Sequence, residues 1–304
     1  EINGMNKAFK KVLIKIKDFF EQFILKFIDD EAFIKFYYRI ATGKRLNLKN
    51  PQTFNEKIQW MKLYNQKPEY TVMADKYLVK EYVAKKIGQQ YVIPLLGVWD
   101  SPDEICFDEL PDRFVLKCNH NSGTGMCICT DKSVLDIEQV KKNLRKGLNE
   151  NFFLHGREWV YKNIPRKIIA EQYMTDESGY ELKDYKFFCF DGVPKMIEVD
   201  FDRFTTGHKR NLYTTDWKLM NAEIKYKRAS DKKIEKPQCL DELLKLAAKL
   251  SEGIPHVRVD FYVINEKIYF GELTFYHGSG LEKFRPESLG IKMGAYIRLP
   301  KNPI

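Results

Sequence analysis

Apolar and polar residues alternate most regularly near the C-terminal end of the chain, in the ranges 257–264 and 268–275. This period-two pattern predicts a β-hairpin with its turn at 265–267. Asp260 and Glu272 interrupt the apolar positions, and pairing about the turn would make them cross-strand neighbours. Two carboxylates on one face repel each other unless a cation lies between them, and Mg²⁺ favours carboxylate and phosphate oxygens. The pattern therefore favours a magnesium site over the alternative of two surface salt bridges.

A helical period with lysines between the apolar positions marks residues 7–28. It predicts a basic amphipathic helix. Such a helix could lie on an anionic membrane surface, or its apolar stripe could pack on the body of the protein, which is the commoner outcome. Binding to a membrane-embedded partner protein is a third option.

The helical pattern continues from residue 33 to residue 86. Within it, Thr53 and Glu56 have the spacing of a capping box at a helix start. Another helix is expected to open at residues 74–77, which places Lys76 where a cation opposes the helix dipole. A bound anion would remove that conflict, and a solvated surface lysine is the alternative.

Residues 113–130 have the pattern of a strand, a loop and a second strand, with Lys117 at the end of the first strand. The loop holds small polar residues and glycines, namely Ser122, Gly123, Thr124 and Gly125. Backbone N–H groups of such a loop can bind a polyphosphate, with the lysine as a point charge. It is not a Walker loop, because G-x-x-x-x-G-K is absent and no helix follows directly. An ordinary hairpin turn is the alternative.

The rest of the chain mixes short strands with helices. The pattern predicts buried strands at 91–99 and 167–174, helices at 135–149, 157–161 and 240–250, and paired strands at 184–192 and 196–200. Asp184 and Lys186 fall on one face of their strand, and a lysine among apolar neighbours needs a counter-anion. From 284 to 304 no strong period is found, so a tail without regular structure is expected.

Composition narrows the class of protein. The chain has 304 residues, 44% of them hydrophobic, enough for a sizeable core in two domains or in one domain with a cap. Its formal net charge of +9 favours anionic partners such as nucleotides, acidic polysaccharide or an anionic membrane. Only Cys127 and Cys129 lie close together and no second pair completes a zinc set, so a reduced, cytoplasmic compartment is expected. No apolar run is long enough to span a membrane, which leaves peripheral contact through residues 7–28 at its inner face.

Four segments together resemble the TupA-like ATP-grasp family. They are PQTFNEKIQW at 51–60, ADKY at 74–77, LPDRFVLKCN at 110–119 and GELTF at 271–275. The resemblance covers approximately residues 36–286 and implies an α+β fold in which two α+β subdomains clamp ATP, with a helical N-terminal region. It divides the chain into a basic helix at 1–30, a helical region at 31–112, a first subdomain at 113–180 and a second, with the metal-binding hairpin, at 181–304.

The resemblance also implies roles for individual residues in binding ATP and Mg²⁺. Lys76, Lys117 and Lys186 would hold the phosphates under the Ser122–Gly125 loop. An adenine hinge would be formed by Glu171, Gln172 and Tyr173, largely through their backbone groups. Asp260 and Glu272 would carry Mg²⁺. Thr274 stands where the general ATP-grasp signature Glu-x-Asn has asparagine, and a hydroxyl is a poorer ligand than an amide oxygen.

Lys186, Arg258 and Arg210 are the expected catalytic residues. Arg258 is assigned to the pleat opposite Asp260, so it would face the acyl phosphate only if a bulge turned it. Arg210 closes a basic loop that begins at residue 203 and would suit an acidic acceptor, although solvated surface charge explains that loop equally well.

The activity implied by the resemblance is ATP-dependent ligation of a carboxylate to an amine through an acyl phosphate. The expected partners are ATP, an amino acid or small amine, and a uronic acid of a bacterial capsule or O-antigen polysaccharide or its precursor. No nucleic-acid partner is expected. The alternatives are a glycosyltransferase of polysaccharide synthesis, a small-molecule kinase, and a non-catalytic nucleotide-binding protein at the membrane.

Overall fold

A computed structural model describes residues 25–175, 182, 184–201, 207–229 and 234–301. The predicted basic helix at 7–28 therefore lies almost entirely outside the described residues. Its last part, Leu25–Phe27, forms a single 3₁₀ turn, so the prediction that the α-helix extends to residue 28 is wrong. None of the helices in the described ranges is long and apolar enough to cross a membrane.

Four helices form the N-terminal region. Their bounds are Asp30–Thr42 (α1), Phe54–Tyr64 (α2), Pro68–Ala74 (α3) and Val79–Lys86 (α4). The predicted capping box at the start of α2 is confirmed, since Thr53 Oγ1 accepts from the N–H of Glu56 at 3.2 Å and Glu56 Oε2 accepts from the N–H of Thr53 at 2.9 Å. Ile58 and Phe54 of this helix are fully buried in the largest hydrophobic core.

A four-stranded antiparallel sheet follows, with strand order β1-β4-β2-β3. Its strands are Leu95–Trp99 (β1), Phe114–Cys118 (β2), Met126–Cys129 (β3) and Ile168–Gln172 (β4). Helix α5, Ile137–Asn149, packs Val140 and Leu144 against Phe114 and Leu116 in a separate small core. The buried strand predicted at 91–99 is shorter and lies at the sheet edge, where Leu95 is 37% exposed.

The second sheet has five antiparallel strands in the order β10-β9-β5-β6-β7. Its strands are Asp184–Phe190 (β5), Val193–Phe201 (β6), Lys209–Tyr213 (β7), Val257–Ile264 (β9) and Lys267–Thr274 (β10). Helix α7, Leu240–Ser251, packs on this sheet and buries Leu243, Leu246 and Leu250 in the largest core. The predicted hairpin is confirmed, with Asn265 and Glu266 in its turn at φ of +48° and +64°.

Two segments differ from the sequence-based expectations. The helix predicted at 157–161 is replaced by a short helix α6, Phe153–Gly156, which ends at Arg157 with φ of +53°, and by a 3₁₀ turn at Trp159–Tyr161. The tail expected at 284–304 instead contains the short strand Phe284–Arg285 (β11), paired with Glu223–Ile224 (β8), and helix α8 at Glu287–Tyr296.

Glycines explain why the apolar period of α8 is weak. This helix buries Gly290 and Gly294 beside Leu289 and Met293. A Cβ on Gly294 would lie 2.2 Å from the carbonyl oxygen of Gln52, so the helix packs there by direct backbone approach. A face built from glycines has no apolar period to detect in the sequence.

Candidate active site

Two lysines converge on the buried carboxylate of Glu171 in β4. Lys117 Nζ lies 2.5 Å from Glu171 Oε2, and Lys80 Nζ of α4 lies 2.6 Å from Glu171 Oε1. Burial by itself raises the pKa of a carboxyl group, but Lys117 and Lys80 outweigh it and lower the pKa of Glu171. The ionised carboxylate therefore holds two ammonium groups side by side. The side chain of Lys117 stays 23% exposed and remains accessible to a ligand.

Lys76 connects this cluster with the loop between β2 and β3 and with the β9–β10 hairpin. It lies in the turn that precedes α4, close to the predicted helix start, and its ammonium donates to the carbonyl of Asn121. Burial lowers the pKa of Lys76, and Glu272 is the charge that most opposes this shift. Glu171 also raises the pKa of Lys76, and Lys117 lowers it. Lys76 is thus within electrostatic reach of both the Glu171 cluster and the hairpin.

The loop between β2 and β3 is anchored to the end of α5. Asn121 Nδ2 donates to the carbonyl of Gly147 at 3.2 Å and to Glu150 Oε2 at 2.8 Å. Gly125 has φ of +69°, and a Cβ there would lie 2.8 Å from Gly147 Cα, so only glycine fits. Three members of the predicted phosphate loop remain accessible, namely the exposed Ser122 and Gly123 and the partly buried Thr124. Phosphate binding by this loop stays a prediction.

The predicted adenine hinge lies at the end of β4. The N–H of Gln172 donates to the carbonyl of Pro94 at 3.0 Å, and the guanidinium of Arg113 lies 4.2 Å from the ring centroid of Tyr173. Because the carboxylate of Glu171 is occupied by lysines, its contact with a base would have to come from the backbone. The hinge assignment stays a prediction.

A line of paired residues crosses the five-stranded sheet and carries charged side chains from four strands. Glu272 pairs with Asp260, Asp260 pairs with Lys186, and Lys186 pairs with Glu198. Directly paired residues project to the same face of a sheet, so these side chains lie side by side. The predicted cross-strand neighbourhood of Asp260 and Glu272 is confirmed. It depends on a β-bulge between Phe270 and Glu272, without which Glu272 would pair one residue further on and face the opposite side.

Arg258 lies on the same face as Asp260, and its assignment to the opposite pleat is wrong. The two residues are two positions apart in β9, which places both on one face of the sheet. Arg258 Nε and Nη2 donate to the two Asp260 oxygens at 2.7 and 2.6 Å. Arg258 Nη2 also donates to Glu272 Oε1 at 2.9 Å. This guanidinium is a protein cation that relieves the repulsion between the two carboxylates.

The hairpin carboxylates fit a magnesium ion that is completed by phosphate oxygens. The Glu272 side chain is 44% exposed, and although burial raises its pKa, Arg258 and Lys76 lower it to about 2. Thr274 Oγ1 and Arg258 Nη2 both donate to Glu272 Oε1 at 2.9 Å, so Glu272 Oε2 is the oxygen whose lone pairs can serve a metal ion. No group of three or more metal-ligating side chains surrounds one point within the described ranges. Asp260 and Glu272 alone match the carboxylates that Mg²⁺ usually takes from a protein.

Lys186 lies among carboxylates inside the sheet face. Its ammonium donates to Asp184 and lies 3.7 Å from Asp200 Oδ2 and 3.9 Å from Asp260 Oδ2. Burial raises the pKa of Asp260, and Arg258 and Lys186 oppose that shift. The Lys186 side chain is 2% exposed. It neutralises the acidic face from within, and the predicted contact with phosphates would require these ion pairs to rearrange.

Arg210 belongs to the same ionic face, further from the hairpin. Its guanidinium contacts three carboxylates: Glu198 Oε1 at 3.1 Å, Asp200 Oδ1 at 2.8 Å and Glu282 Oε2 at 3.2 Å. Burial by itself lowers the pKa of Arg210, but the three carboxylates outweigh the effect of burial, and the pKa is raised. His277 joins Arg210 to Arg258, because its Nε2 lies 3.0 Å from Glu282 Oε2 and its Nδ1 lies 2.8 Å from Arg258 Nη1. Arg210 therefore acts on the hairpin through other side chains.

The turn at His277–Gly280 follows β10 and is held in an unusual conformation by helix α2. The residues after His277 all have positive φ, and at Ser279 the value is +54°, which is uncommon outside glycine. Lys62 Nζ donates to the carbonyl of Ser279 at 2.9 Å and to its Oγ at 2.8 Å. Gln59 Nε2 donates to the carbonyls of Ser279 and Gly280 at 2.8 and 3.0 Å. These contacts offset the strain of the turn.

Lys62 and Glu158 extend the polar region toward α6. Burial lowers the pKa of Lys62 to about 8, and Glu158 opposes that shift. Lys62 Nζ also donates to the carbonyl of Gly156 at 2.8 Å. Burial raises the pKa of Glu158, which hydrogen-bonds Ser279 and is also influenced by Glu272. A lysine and a glutamate therefore support the 277–280 turn beside the hairpin.

Several residues of the charged network were not identified from the sequence. They are Lys62, Lys80, Glu158, Glu198, Asp200, His277 and Glu282. Helical spacing was an available signal for two of them. Lys80 lies four residues after Lys76, and Lys62 lies four residues after Ile58 on the apolar face of α2. Glu158, His277 and Glu282 lie in turns and loops, and no periodic pattern marks them.

The fold and this site define an ATP-grasp protein, in which an α+β region with lysines and another with carboxylates approach each other. The chain belongs to the TupA-like ATPgrasp family, whose model matches residues 56–298. The resemblance and the α+β ATP-grasp fold predicted from the sequence are thereby confirmed. The exact subdomain boundaries stay predictions.

Solved ligase structures are similar to this chain at low identity. The D-alanine-D-alanine ligase from Helicobacter pylori is 17% identical, over 75% of this chain and 62% of that chain, with a TM-score of 0.41. The D-cycloserine synthetase DcsG is 13% identical, over 76% and 72%, with a TM-score of 0.41. An L-amino acid ligase from Bacillus licheniformis is 12% identical, over 69% and 44%, with a TM-score of 0.39. The chain spans less than two thirds of the length of the first of these ligases. No curated protein sequence matches the chain.

Proposed function

We propose that the protein is an ATP-dependent carboxylate–amine ligase that joins an amino acid or small amine to a uronic acid of a bacterial surface polysaccharide or its precursor. Membership of the TupA-like ATPgrasp family supports the ATP-dependent part. The observation that carries the proposal is the approach of the lysine cluster to the hairpin carboxylates. Val92, just before β1, forms a parallel bridge with Phe270 of β10, and Lys76 and Glu272 each shift the pKa of the other.

The charges of the two regions match the parts of a metal-bound triphosphate. Lys76, Lys80 and Lys117 would bind phosphate oxygens as point charges. Asp260 and Glu272 would hold Mg²⁺, which when bound neutralises phosphate charge and orients the transferred group. A role in binding ATP also accounts for lysines that remain accessible although Glu171 already pairs with two of them.

The proposed reaction has two steps. A uronate oxygen attacks the terminal phosphorus of ATP, an O–P bond forms, and ADP leaves. A neutral amine then attacks the acyl carbon, the C–N bond forms, the C–O bond to phosphate breaks, and a proton is released. Arg258 would stabilise the oxygens that gain charge, because its guanidinium lies between the two carboxylates that we propose hold Mg²⁺. Arg210 would be a positioning residue that acts on Arg258 through Glu282 and His277.

The rival glycosyltransferase would use an Asp-x-Asp motif to hold a sugar nucleotide, and the chain has one at Asp200-Phe-Asp202. Asp200 is 3% exposed and is engaged by Arg210 and by His208 Nε2 at 2.9 Å. Asp202 lies outside the described residues. Asp260 is equally buried, so exposure does not separate the two aspartates, and membership of the TupA-like ATPgrasp family is what favours the ligase over this rival. We also place the protein in the cytoplasm, with residues 7–28 as a peripheral membrane contact.

Isotope transfer tests the proposed chemistry directly. The protein is incubated with ATP, Mg²⁺, mixed amino acids and a uronic-acid oligosaccharide whose carboxylates carry ¹⁸O. The acyl-phosphate route delivers ¹⁸O to inorganic phosphate and gives an amide product by mass spectrometry. A kinase would form ADP without amide, and a glycosyltransferase would instead turn over a UDP-sugar. Amide formation without ¹⁸O in phosphate would refute the acyl-phosphate step.

A further inference from the structure

A large groove lies along α2, on the side of this helix opposite the one that holds the 277–280 turn. It has a volume of about 1010 Å³ and is bounded by α1 and by the segment 45–49. Trp60 and Tyr64 of α2 also line it. A concave site of this size can enclose several sugar rings or an equivalent length of another chain.

Cations dominate the rim of the groove. They are Lys35, Arg39, Arg45 and Lys49, all exposed, and Glu31 is the acidic residue among the lining side chains. Lys35 pairs with Glu31. Within the described part of the chain, Arg39, Arg45 and Lys49 form no ion pair, so their charge is available to an anionic ligand. Two of these are arginines, whose planar guanidinium groups bind carboxylates with paired hydrogen bonds.

Aromatic side chains line the groove between these cations. The rings of Trp60 and Tyr64 are 5.2 Å apart, and both residues are partly buried. Tyr64 is fixed further because its hydroxyl donates to Glu31 at 2.7 Å. Phe36 of α1 adds a third ring, which is 66% exposed. Fixed aromatic faces flanked by cations suit a ligand with apolar C–H faces and carboxylates, such as an acidic sugar.

The groove and the 277–280 turn lie on two sides of the same helix. Gln59 and Lys62 of α2 hold that turn, whereas Trp60 and Tyr64 point into the groove. The residue after the turn, Leu281, packs against the small core that supports α1. A polymer bound in the groove would therefore be held close to the hairpin without occupying it.

We propose that this groove binds a carboxylate-bearing stretch of the acceptor glycan, as a second glycan site outside the reaction centre. The proposal rests on the proposed function for the class of ligand. The lysine-rich segment at 7–17 of this chain is a poorer occupant, because it carries the same charge as the groove. A flat membrane surface is also a poorer match, because Trp60 and Tyr64 lie inside a concavity and not on a protruding face.

Binding of oligogalacturonate to the full-length protein, measured by calorimetry without ATP, tests the proposal. A hyaluronan oligosaccharide serves as a second uronic-acid probe, and the methyl-esterified oligogalacturonate serves as the uncharged control. We expect the free acid to bind at least about tenfold more tightly than its ester. R39Q/R45Q and Trp60→Ala should each weaken binding by about tenfold or more. The charge-matched control K142Q/K146Q, on the exposed face of α5, should leave the affinity unchanged.

Each other outcome overturns the glycan site. These outcomes are no binding of either uronic-acid probe, equal binding of acid and ester, and glycan binding that R39Q/R45Q does not alter. If single-stranded DNA competes for the groove as strongly as the uronic-acid oligosaccharides do, the groove is a general polyanion surface. Anionic vesicles that bind through Arg39 and Arg45, when glycans do not, would indicate a membrane contact. The binding experiment contains no ATP, so it is independent of the ligase assay. If the glycan binds but the ligase assay forms no amide, only the proposed function is refuted. If a free uronic acid is converted to an amide but the glycan does not bind, only the groove is refuted.

Discussion

The two large sheets of the protein present different charge to the region where they meet. At the four-stranded sheet, Lys76, Lys80 and Lys117 approach the carboxylates of Glu171 and Asp75. On the charged face of the five-stranded sheet, carboxylates outnumber full cations. The carboxylates are Asp184, Glu198, Asp200, Asp260 and Glu272, and the cations are Lys186, Arg210 and Arg258. One region suits phosphate oxygens and the other suits a metal ion.

The two regions also differ in how their charged groups are paired. The Glu171 side chain is 8% exposed and forms ion pairs with Lys80 and Lys117, so the negative charge of the first region is neutralised inside the protein. In the second region the Glu272 side chain is 44% exposed, although Arg258 contacts one of its oxygens. The accessible charges are therefore the lysines in one region and a carboxylate in the other. This difference predicts separable effects on nucleotide and on metal.

The largest expected effect comes from Asp260→Asn. The amide removes the carboxylate charge that we propose holds Mg²⁺ and leaves Arg258 and Lys186 without a full counter-charge, so turnover should fall by about 10²- to 10³-fold. ADP release with the acceptor present measures this loss, and Mn²⁺ binding shows whether metal affinity falls with it. Asp241→Asn, on the exposed side of α7, is the matched control and should retain wild-type turnover. Full activity of the Asp260 variant would exclude the hairpin as the metal site.

Lys117→Met and Glu272→Gln should separate the two regions. Lys117→Met removes a contact to a charged group worth about 1.5–3 kcal/mol, so ATP binding should weaken by about 10- to 100-fold with or without Mg²⁺. Glu272→Gln should weaken binding only when Mg²⁺ is present. Fluorescent-nucleotide titrations with Mg²⁺ and with EDTA give all four values. Lys85→Met, an exposed lysine of α4, serves as the control. If both variants showed the same metal dependence, the division of roles would be refuted.

Lys62→Met should alter the stability of the 277–280 turn and its pH dependence. The variant removes the Lys62 donor from the carbonyl of Gly156, at a cost of about 1–3 kcal/mol if no water replaces it, whereas the carbonyl of Ser279 keeps its hydrogen bond from Gln59. In the wild type, the folded-state pKa of Lys62 is about 8 against an ordinary 10.5. Between these pH values the unfolded chain binds more protons, so Lys62 makes stability rise with pH by at most about 1.4 kcal/mol per unit.

Urea unfolding at pH values from 7 to about 10 measures both effects. The Lys62→Met variant should lack this contribution to the rise, while Lys85→Met should keep it. An identical pH profile for the wild type and the Lys62 variant would show that the ammonium is not desolvated in the folded protein.

The smallest expected effect is a gain from Thr274→Asn. An amide oxygen is a better ligand than a hydroxyl, and residue 274 already contacts the Glu272 carboxylate. Mn²⁺ affinity should rise by about two- to fivefold, which corresponds to about 0.4–1 kcal/mol. Electron paramagnetic resonance of bound Mn²⁺ measures it, with Thr214→Asn, in the turn that follows β7, as the control. Weaker Mn²⁺ binding would place residue 274 outside the metal site.

Local patterns predicted much of the fold because the relevant contacts are close in sequence. The hairpin at 257–275, the capping box of Thr53 and Glu56, and helices α5 and α7 all follow from periodicity or short-range hydrogen bonds. Helix α8 escaped prediction because Gly290 and Gly294 bury a face that has no apolar side chains at those positions. Backbone packing against another segment is invisible to a residue pattern.

By itself, the sequence determined the α+β class, the hairpin with its acidic residues, and the lysines at 76 and 117. Tertiary structure alone decided which faces these groups occupy. A single bulge beside Gly271 turns Glu272 to the side of Asp260, and Arg258 then bridges both carboxylates. Lys80, His277 and Lys62 join the network only because distant segments meet. The physical reason is that side-chain identity and spacing are local, whereas strand register and the neutralisation of buried charge depend on which segments the whole fold brings together.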